Sequence, residues 1–301
     1  MITFKKSALA LAIASFAGGV LAQSAPTPAP APAPEKSPIT ANVTVVNDYR
    51  YRGMTQSNFK PAIQGGFDYA HESGFYIGNW NSSISWISDG YPATTAATGY
   101  NRSTSAPVEM DFYMGFKKEI IGEGFVSDIG ILQYYYPTSG LRTQAQNSSN
   151  CATTSRNGCG TVPNTTELYL AQNFTYGPLT GFVKFSYALT NIFGIYNSRG
   201  SYYPDLTINY DTGFEGISLN GHVGYQKVTN TVGAYNFSYA DWKIGFTKDF
   251  GGGLSGSIAY IGTSQPKVGS DYLWYAPTQS GSGNNNSMGK GGGLISLTKT
   301  F

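Results

Sequence analysis

Links of two kinds alternate along this chain, and that alternation constrains its fold more than any other feature. From Ile39 onward the apolar period is 2 rather than 3.6. Val108, Met110, Phe112, Met114 and Phe116 share one face of a segment whose other face carries Glu109, Asp111, Tyr113 and Lys117. Successive strand side chains point to opposite faces, so this is a two-sided strand. Residues 217–225 and 240–247 repeat the pattern. Twelve such segments are legible, near 42–52, 62–71, 75–85, 108–117, 125–136, 166–174, 180–189, 203–210, 217–226, 239–248, 254–261 and 291–301. The links at 72–74, 119–124, 175–178, 211–216 and 249–253 are short. Those at 53–61, 86–107, 137–165, 190–202, 227–238 and 262–290 are longer, and the two kinds alternate without exception.

A soluble sandwich has no reason to sort its links in this way. A bacterial outer-membrane barrel does, with tight periplasmic turns at one end and long outer loops at the other. Each segment is near the 9–11 residues a tilted strand needs to cross a bilayer. In lipid every backbone N–H and C=O must find a partner within the protein, and a closed barrel pairs them all. The expected fold is therefore all-β: a transmembrane antiparallel β-barrel of about 12 strands, its even count leaving both termini in the periplasm. No segment after the leader approaches the roughly 18 apolar residues of a spanning helix, which excludes a helical transporter.

Composition agrees. Charged residues make up only 12% of the 301, against an ordinary quarter. Aromatics reach 15%, too many for a disordered chain. The net charge of +2 falls to zero once Lys5 and Lys6 are removed with the leader, leaving 17 basic and 17 acidic residues. A nucleic-acid partner, which calls for a basic face, is not expected.

Residues 1–22 read as a signal peptide: Lys5 and Lys6 precede an apolar run from Ala8 to Val20 that is too short to span, and cleavage after Ala22 follows from Val20-Leu21-Ala22. Residues 23–38 are a Pro/Ala-rich stretch that cannot pack a core and reads as a periplasmic tether in extended polyproline II form. The barrel occupies 39–301. Cys151 and Cys159 lie in the longest outer loop, and in an exported chain two nearby cysteines most simply form one disulfide.

The alternation also divides lipid-facing from lumenal residues. Tyr49, Tyr51, Tyr69, Tyr76, Trp80, Trp86, Phe185, Tyr187 and Trp242 fall on outward faces and suit interfacial aromatic girdles. Lumenal by the same rule are Asp48, Arg50, Arg52, Gln64, Asp68, Asn79, Asn81, Glu109, Asp111, Asp128, Glu167, Lys184, Asp205, Asn209, Asn220, His222, Asp241 and Lys243. Eight of these are acids and four are Arg or Lys. Rings of acidic side chains favour cations, so a mild cation preference is expected. Arg50, Arg52, Glu109, Asp111, Glu167 and Asp241 are the candidates for a constriction. Twelve strands lie between the filled eight-stranded barrels and the open porins of sixteen or more, so the pore is expected to be narrow. The alternative is a barrel of paired charges that conducts nothing and serves structure or adhesion.

Catalytic and metal chemistry is thinly supplied. The chain has two histidines, His71 and His222, on non-adjacent strands, and no serine follows His222 two residues on. A lipid hydrolase would need a serine, its base and an orienting group within reach, so no enzyme, metal or cofactor is expected. Gly251-Gly252-Gly253 and Gly291-Gly292-Gly293 are followed by no Lys-Ser/Thr and read as turn and bend glycines, not phosphate loops. Phe301 ends an aromatic-terminated last strand, the mark of a barrel delivered to the barrel-assembly machinery. The remaining partners expected are outer-membrane lipid and small polar solutes.

One opening motif is quite specific. Val46-Asn47-Asp48-Tyr49-Arg50-Tyr51-Arg52-Gly53-Met54-Thr55-Gln56-Ser57, followed by Lys60-Pro61-Ala62-Ile63-Gln64-Gly65-Gly66-Phe67-Asp68-Tyr69, resembles the start of the TorF-type porin family, proteobacterial outer-membrane proteins long grouped among those of unknown function. Weaker matches are Ser73-Gly74-Phe75-Tyr76-Ile77-Gly78-Asn79-Trp80, Asp128-Ile129-Gly130, Tyr134-Tyr135-Tyr136-Pro137, Thr166-Glu167-Leu168-Tyr169 and the ending Ser296 to Phe301. The resemblance spans about 43–301, with the long loops unmatched. It implies an outer-membrane barrel and a pore, and no settled solute.

Overall fold

The computed structural model describes residues 37–90, 105–139, 162–229, 236–268, 271–272, 275–276 and 286–301. The leader at 1–22, the tether up to residue 36, and Cys151 and Cys159 lie outside the described residues.

Twelve antiparallel strands close into a barrel. They are β1 (Ile39–Val46), β2 (Ala62–Ala70), β3 (Phe75–Ser83), β4 (Val108–Gly122), β5 (Phe125–Tyr135), β6 (Thr165–Tyr176), β7 (Leu179–Ala188), β8 (Tyr202–Asp211), β9 (Ile217–Gln226), β10 (Tyr239–Gly251), β11 (Leu254–Thr263) and β12 (Gly292–Thr300). Each pairs with its neighbours in sequence, and β1 closes on β12 with Val43 opposite Lys299 and Val46 opposite Ser296. Closure leaves no strand edge unpaired, which is the condition lipid imposes.

The alternation sorts the faces largely as expected. Outside, Ile63 (65% exposed), Leu170 (59%) and Ile258 (58%) belong to a belt that runs around the wall through Phe67, Phe112, Val183, Ile244 and Leu297. In water such a surface would be an aggregation site; against acyl chains it is the favourable face. Phe185, Tyr187 and Trp242 stand exposed on it, as does Phe301 at the end of the chain.

Three expectations fail, each for a physical reason. First, β1 ends at Val46 instead of running to residue 52. The chain then turns inward, because Asp48 gathers the hydroxyls of Thr55 (2.5 Å) and Ser57 (3.3 Å) and bends the segment back on itself. Tyr49 and Tyr51 go inward with it and form no outer girdle. Second, β3 has the opposite facing. Tyr76 and Trp80 point into the lumen, where Tyr76 Oη donates to Asp128 Oδ1 at 2.6 Å and Trp80 packs edge-on to Tyr49. Asn79 and Asn81 consequently share the outward side with Ile77, and Asn79 turns its amide to the Asp111 carbonyl at 3.0 Å. Third, Trp86 lies on no strand: it starts a one-turn helix (Trp86–Gly90) and is buried against Tyr136.

Room for the lumenal tyrosines comes from glycines on neighbouring strands. A Cβ at Gly78 would strike Tyr113, one at Gly115 would strike Tyr76, one at Gly130 Tyr169, and one at Gly224 Tyr203. Each phenol lies flat across a glycine, so four bulky rings line a narrow wall without overpacking it.

Candidate functional site

The long-loop end of the lumen is filled by the segment between β1 and β2. Arg50–Tyr51 pairs with Met54–Thr55 in a short hairpin. Three non-glycine residues of this segment, Arg52, Asn58 and Phe59, have φ of 44°, 53° and 60°. Left-handed backbone in side-chain-bearing residues is costly and persists only where surrounding contacts hold it.

Those contacts are dense. Asp48 accepts Arg50 Nε at 2.5 Å, and Arg50 Nη1 reaches the Gly53 carbonyl at 2.9 Å. Thr55 N donates to the Met288 carbonyl at 2.9 Å, tying the hairpin to the chain just before β12. Arg52, at the tip, crosses to the far wall. Its guanidinium forks onto Glu167 of β6 at 3.0 and 2.7 Å, and Nη1 also meets Gln226 of β9 at 2.6 Å. It stacks over Tyr203 of β8 at 4.2 Å. Both charges are almost fully buried, with 6% and 3% of their side-chain surface exposed. A bidentate Arg–carboxylate pair is the strongest and most directional ion pair available to side chains. Gly53 follows at φ +79°, and a Cβ there would run into Thr263 and Asp241. The tip therefore requires glycine both for its backbone and for its approach to the wall.

Around the hairpin lies an apolar cluster. Tyr49 and Met54 pack with Ile84, Trp86 and Ile87 from the loop after β3. Ile192 and Ile195 from the loop after β7 join them, with Tyr134, Tyr136, Tyr239 and Met288. Ile87 and Ile192 have no exposed surface. Tyr51, Tyr134 and Phe193 meet edge to face with centroids 5.4–5.5 Å apart, the geometry aromatic rings prefer. Burial pushes the Tyr49 and Tyr136 phenols well above their ordinary value, and the Glu109 and Asp111 carboxylates push further in the same direction. Both phenols stay protonated, and Tyr49 Oη donates to Glu109 Oε1 at 2.8 Å.

The rest of the lumen is polar. Asp128 accepts Tyr76 Oη and faces Lys117 Nζ at 3.6 Å, and Tyr76 is bonded in turn to Tyr169. Lys184 lies over the Tyr169 ring at 4.4 Å and is paired in register with Asp205. Asp241 accepts Tyr203 Oη at 2.8 Å and meets His222 Nε2 at 3.0 Å, and it is the carboxylate that acts on Lys243. Asp68 accepts Tyr113 Oη at 2.5 Å. His222 Nδ1 lies 3.0 Å from Thr207 Oγ1, so hydroxyl, imidazole and carboxylate stand in line across β8, β9 and β10. Among the described residues no group of three or more His, Cys, Asp or Glu side chains is placed to hold a metal.

The charged residues assigned to the lumen come from two kinds of element. Asp68, Glu109, Asp111, Asp128, Glu167, Lys184, Asp205, His222, Asp241 and Lys243 stand on strands. Asp48, Arg50 and Arg52 arrive on the inward-folded segment and not on β1. Lys117 raises the count of lumenal bases from four to five; its own strand alternation already pointed it inward. The loop residues Ile84, Ile87, Ile192, Phe193 and Met288 carried no periodic signal, and their role was not legible.

Comparison with solved structures returns barrels. KdgM porin superposes with a TM-score of 0.46 at 7% identity, covering 87% of this chain and 97% of that one. NanC porin gives 0.49 at 10%, covering 87% and 98%. OccAB4 of Acinetobacter baumannii gives 0.37 at 7%, covering 84% of this chain and 56% of its own. No curated protein sequence matches. Residues 31–301 match the family described as "Bacterial protein of unknown function (Gcw_chp)", and the chain belongs to it.

Proposed function

We propose that this barrel spans the outer membrane of a Gram-negative cell and is a porin of the TorF type. It passes small polar solutes with a mild preference for cations, through a lumen that its own hairpin closes at the long-loop end. The observation that carries this reading is the Arg52–Glu167 fork, a buried ion pair that bolts a strained loop across a polar lumen. A lumen filled only for stability would be better served by apolar packing, because a buried ion pair contributes little net stability. Fixing one arrangement of a segment is the better-attested use of such a pair. Support for cation preference is the excess of eight lumenal carboxylates over five Arg and Lys side chains. Lipid is the partner of the apolar belt, and Phe301 is the signal offered to the barrel-assembly machinery.

The test is single-channel conductance and reversal potential in a planar bilayer under a KCl gradient. It compares the wild type with a variant whose residues 50–55 are replaced by Gly and Ser. Rare or small steps in the wild type, and steps several-fold larger with cation-side reversal in the variant, are expected. Silence from both, with folding verified by heat-modifiable gel mobility, would overturn the pore. It would favour the second reading, a non-conducting structural or adhesive barrel, which the same apolar plug supports.

A further inference from the structure

The lumenal charges pair off almost completely. Asp48 faces Arg50, Glu167 faces Arg52, Asp128 faces Lys117, and Asp241 faces His222 and Lys243; Asp205 stands opposite Lys184 in strand register and feels its charge, although its own Oδ1 is buried without a hydrogen-bond partner. Three carboxylates are left over: Asp68, Glu109 and Asp111. Asp68 is half-buried and takes the Tyr113 phenol. The other two are in a different situation. Glu109 is 1% exposed and Asp111 7%. Glu109 Oε2 and Asp111 Oδ1 are both buried with no hydrogen-bond partner among the described residues. The charges Asp111 feels most are two more carboxylates, Glu109 and Glu167. The Arg52 guanidinium, the basic group beside Glu167, is already engaged by Glu167 and Gln226.

Two residues apart on β4, Glu109 and Asp111 project from the same face with Cα atoms about 7 Å apart. Their free oxygens can converge on one point. Buried polar atoms are nearly always partnered, and buried charges are paired or bind a cation. We infer that Glu109 Oε2 and Asp111 Oδ1 form a binding site for one divalent cation of the calcium class, at the rim of the plug. Two carboxylates match its charge. The phenols of Tyr49 and Tyr136 hydrogen-bond Glu109 and hold its carboxylate in place. The carboxylate ligands are hard oxygens, the set that suits calcium and not zinc or copper. The site needs the two carboxylates together in the lumen and does not need conduction.

Terbium(III) is the probe, added to the refolded full-length protein in detergent. Tyr49, Tyr136 and Trp80, which packs 5.4 Å from Tyr49, stand beside the site as sensitisers. Excitation of these rings is expected to give saturable terbium emission that millimolar calcium displaces. Asp111→Asn is expected to weaken it at least tenfold, and the double variant Glu109→Gln/Asp111→Asn to remove it. Asp211→Asn, at the exposed end of β8, leaves it unchanged. Calcium is also expected to raise the unfolding midpoint of the wild type, and a chelator to lower it, a readout that stands even if the double variant does not fold. Emission that is absent, or identical in Asp111→Asn, or a midpoint indifferent to calcium, overturns the site. A protein that conducts without binding terbium loses this site and keeps the pore; one that binds terbium and stays silent does the reverse.

Discussion

The two ends of the lumen are built from the same twelve strands and the same alternation, yet they differ. At the tight-turn end the inward side chains are short and polar and bond across strands: Thr44 to Thr298, Ser257 to Ser296, and Thr247 through Asn220 to Asn209. These are only part-buried. At the long-loop end Glu109, Tyr134, Thr165, Glu167 and Asp241 are buried beneath the hairpin and the apolar cluster. Alternation makes both ends polar; what separates them is what folds in from the links. A turn such as 71–74 closes on itself, with Gly74 N bonded to the His71 carbonyl at 2.9 Å. It has nothing to insert. The segment between β1 and β2 is long enough to reach the opposite wall. In this fold the wall decides which side chains face the lumen, and loop length decides whether the lumen is filled.

Substitutions at the two ends should break or sharpen that contrast. The largest effect is expected at the latch. Arg52→Ala leaves Glu167 buried and unpaired and should cost about 3–5 kcal/mol in a denaturant titration of the refolded barrel. Adding Glu167→Gln should recover part of that loss, and a strictly additive pair would show that the fork does not couple the hairpin to β6. Next comes the apolar cluster. Ile192→Ala deletes a fully buried side chain and should cost about 2–5 kcal/mol by the same titration. A loss below half a kcal/mol would mean the loop after β7 is not packed against the hairpin. The smallest stability effect belongs to the tight-turn half. Lys117→Ala removes an ion pair of 3.6 Å, whose lysine is 20% exposed, and should cost at most about 1 kcal/mol. It should also move the reversal potential further to the cation side, because Asp128 then stands without its base. An unchanged potential would remove Lys117 and Asp128 from the conduction path.

The strands were legible because their evidence is local. Period 2 is a property of adjacent residues, so β4 with Glu109 and Asp111 inside and Phe112 and Met114 outside could be read from ten letters of sequence. The spacing of the links likewise determined the strand count, the antiparallel order and the two unlike ends. What failed to read was also local in form and non-local in cause. Residues 48, 50 and 52 alternate like a strand, but the Asp48 side chain finds Thr55 and Ser57, and Arg52 finds a carboxylate 115 residues away. On β3, tyrosine and tryptophan at 76 and 80 look lipid-facing. They turn inward because Gly115 on the next strand leaves room for one ring and Tyr49 from the plug packs against the other. By itself the sequence determined a twelve-stranded closed wall, its two faces and its loop-rich end. Only the tertiary structure decided that a hairpin bonds across the long-loop end of the lumen and which carboxylates are left without a base, because ion pairs and ring packing depend on partners that the chain brings together only when the barrel closes.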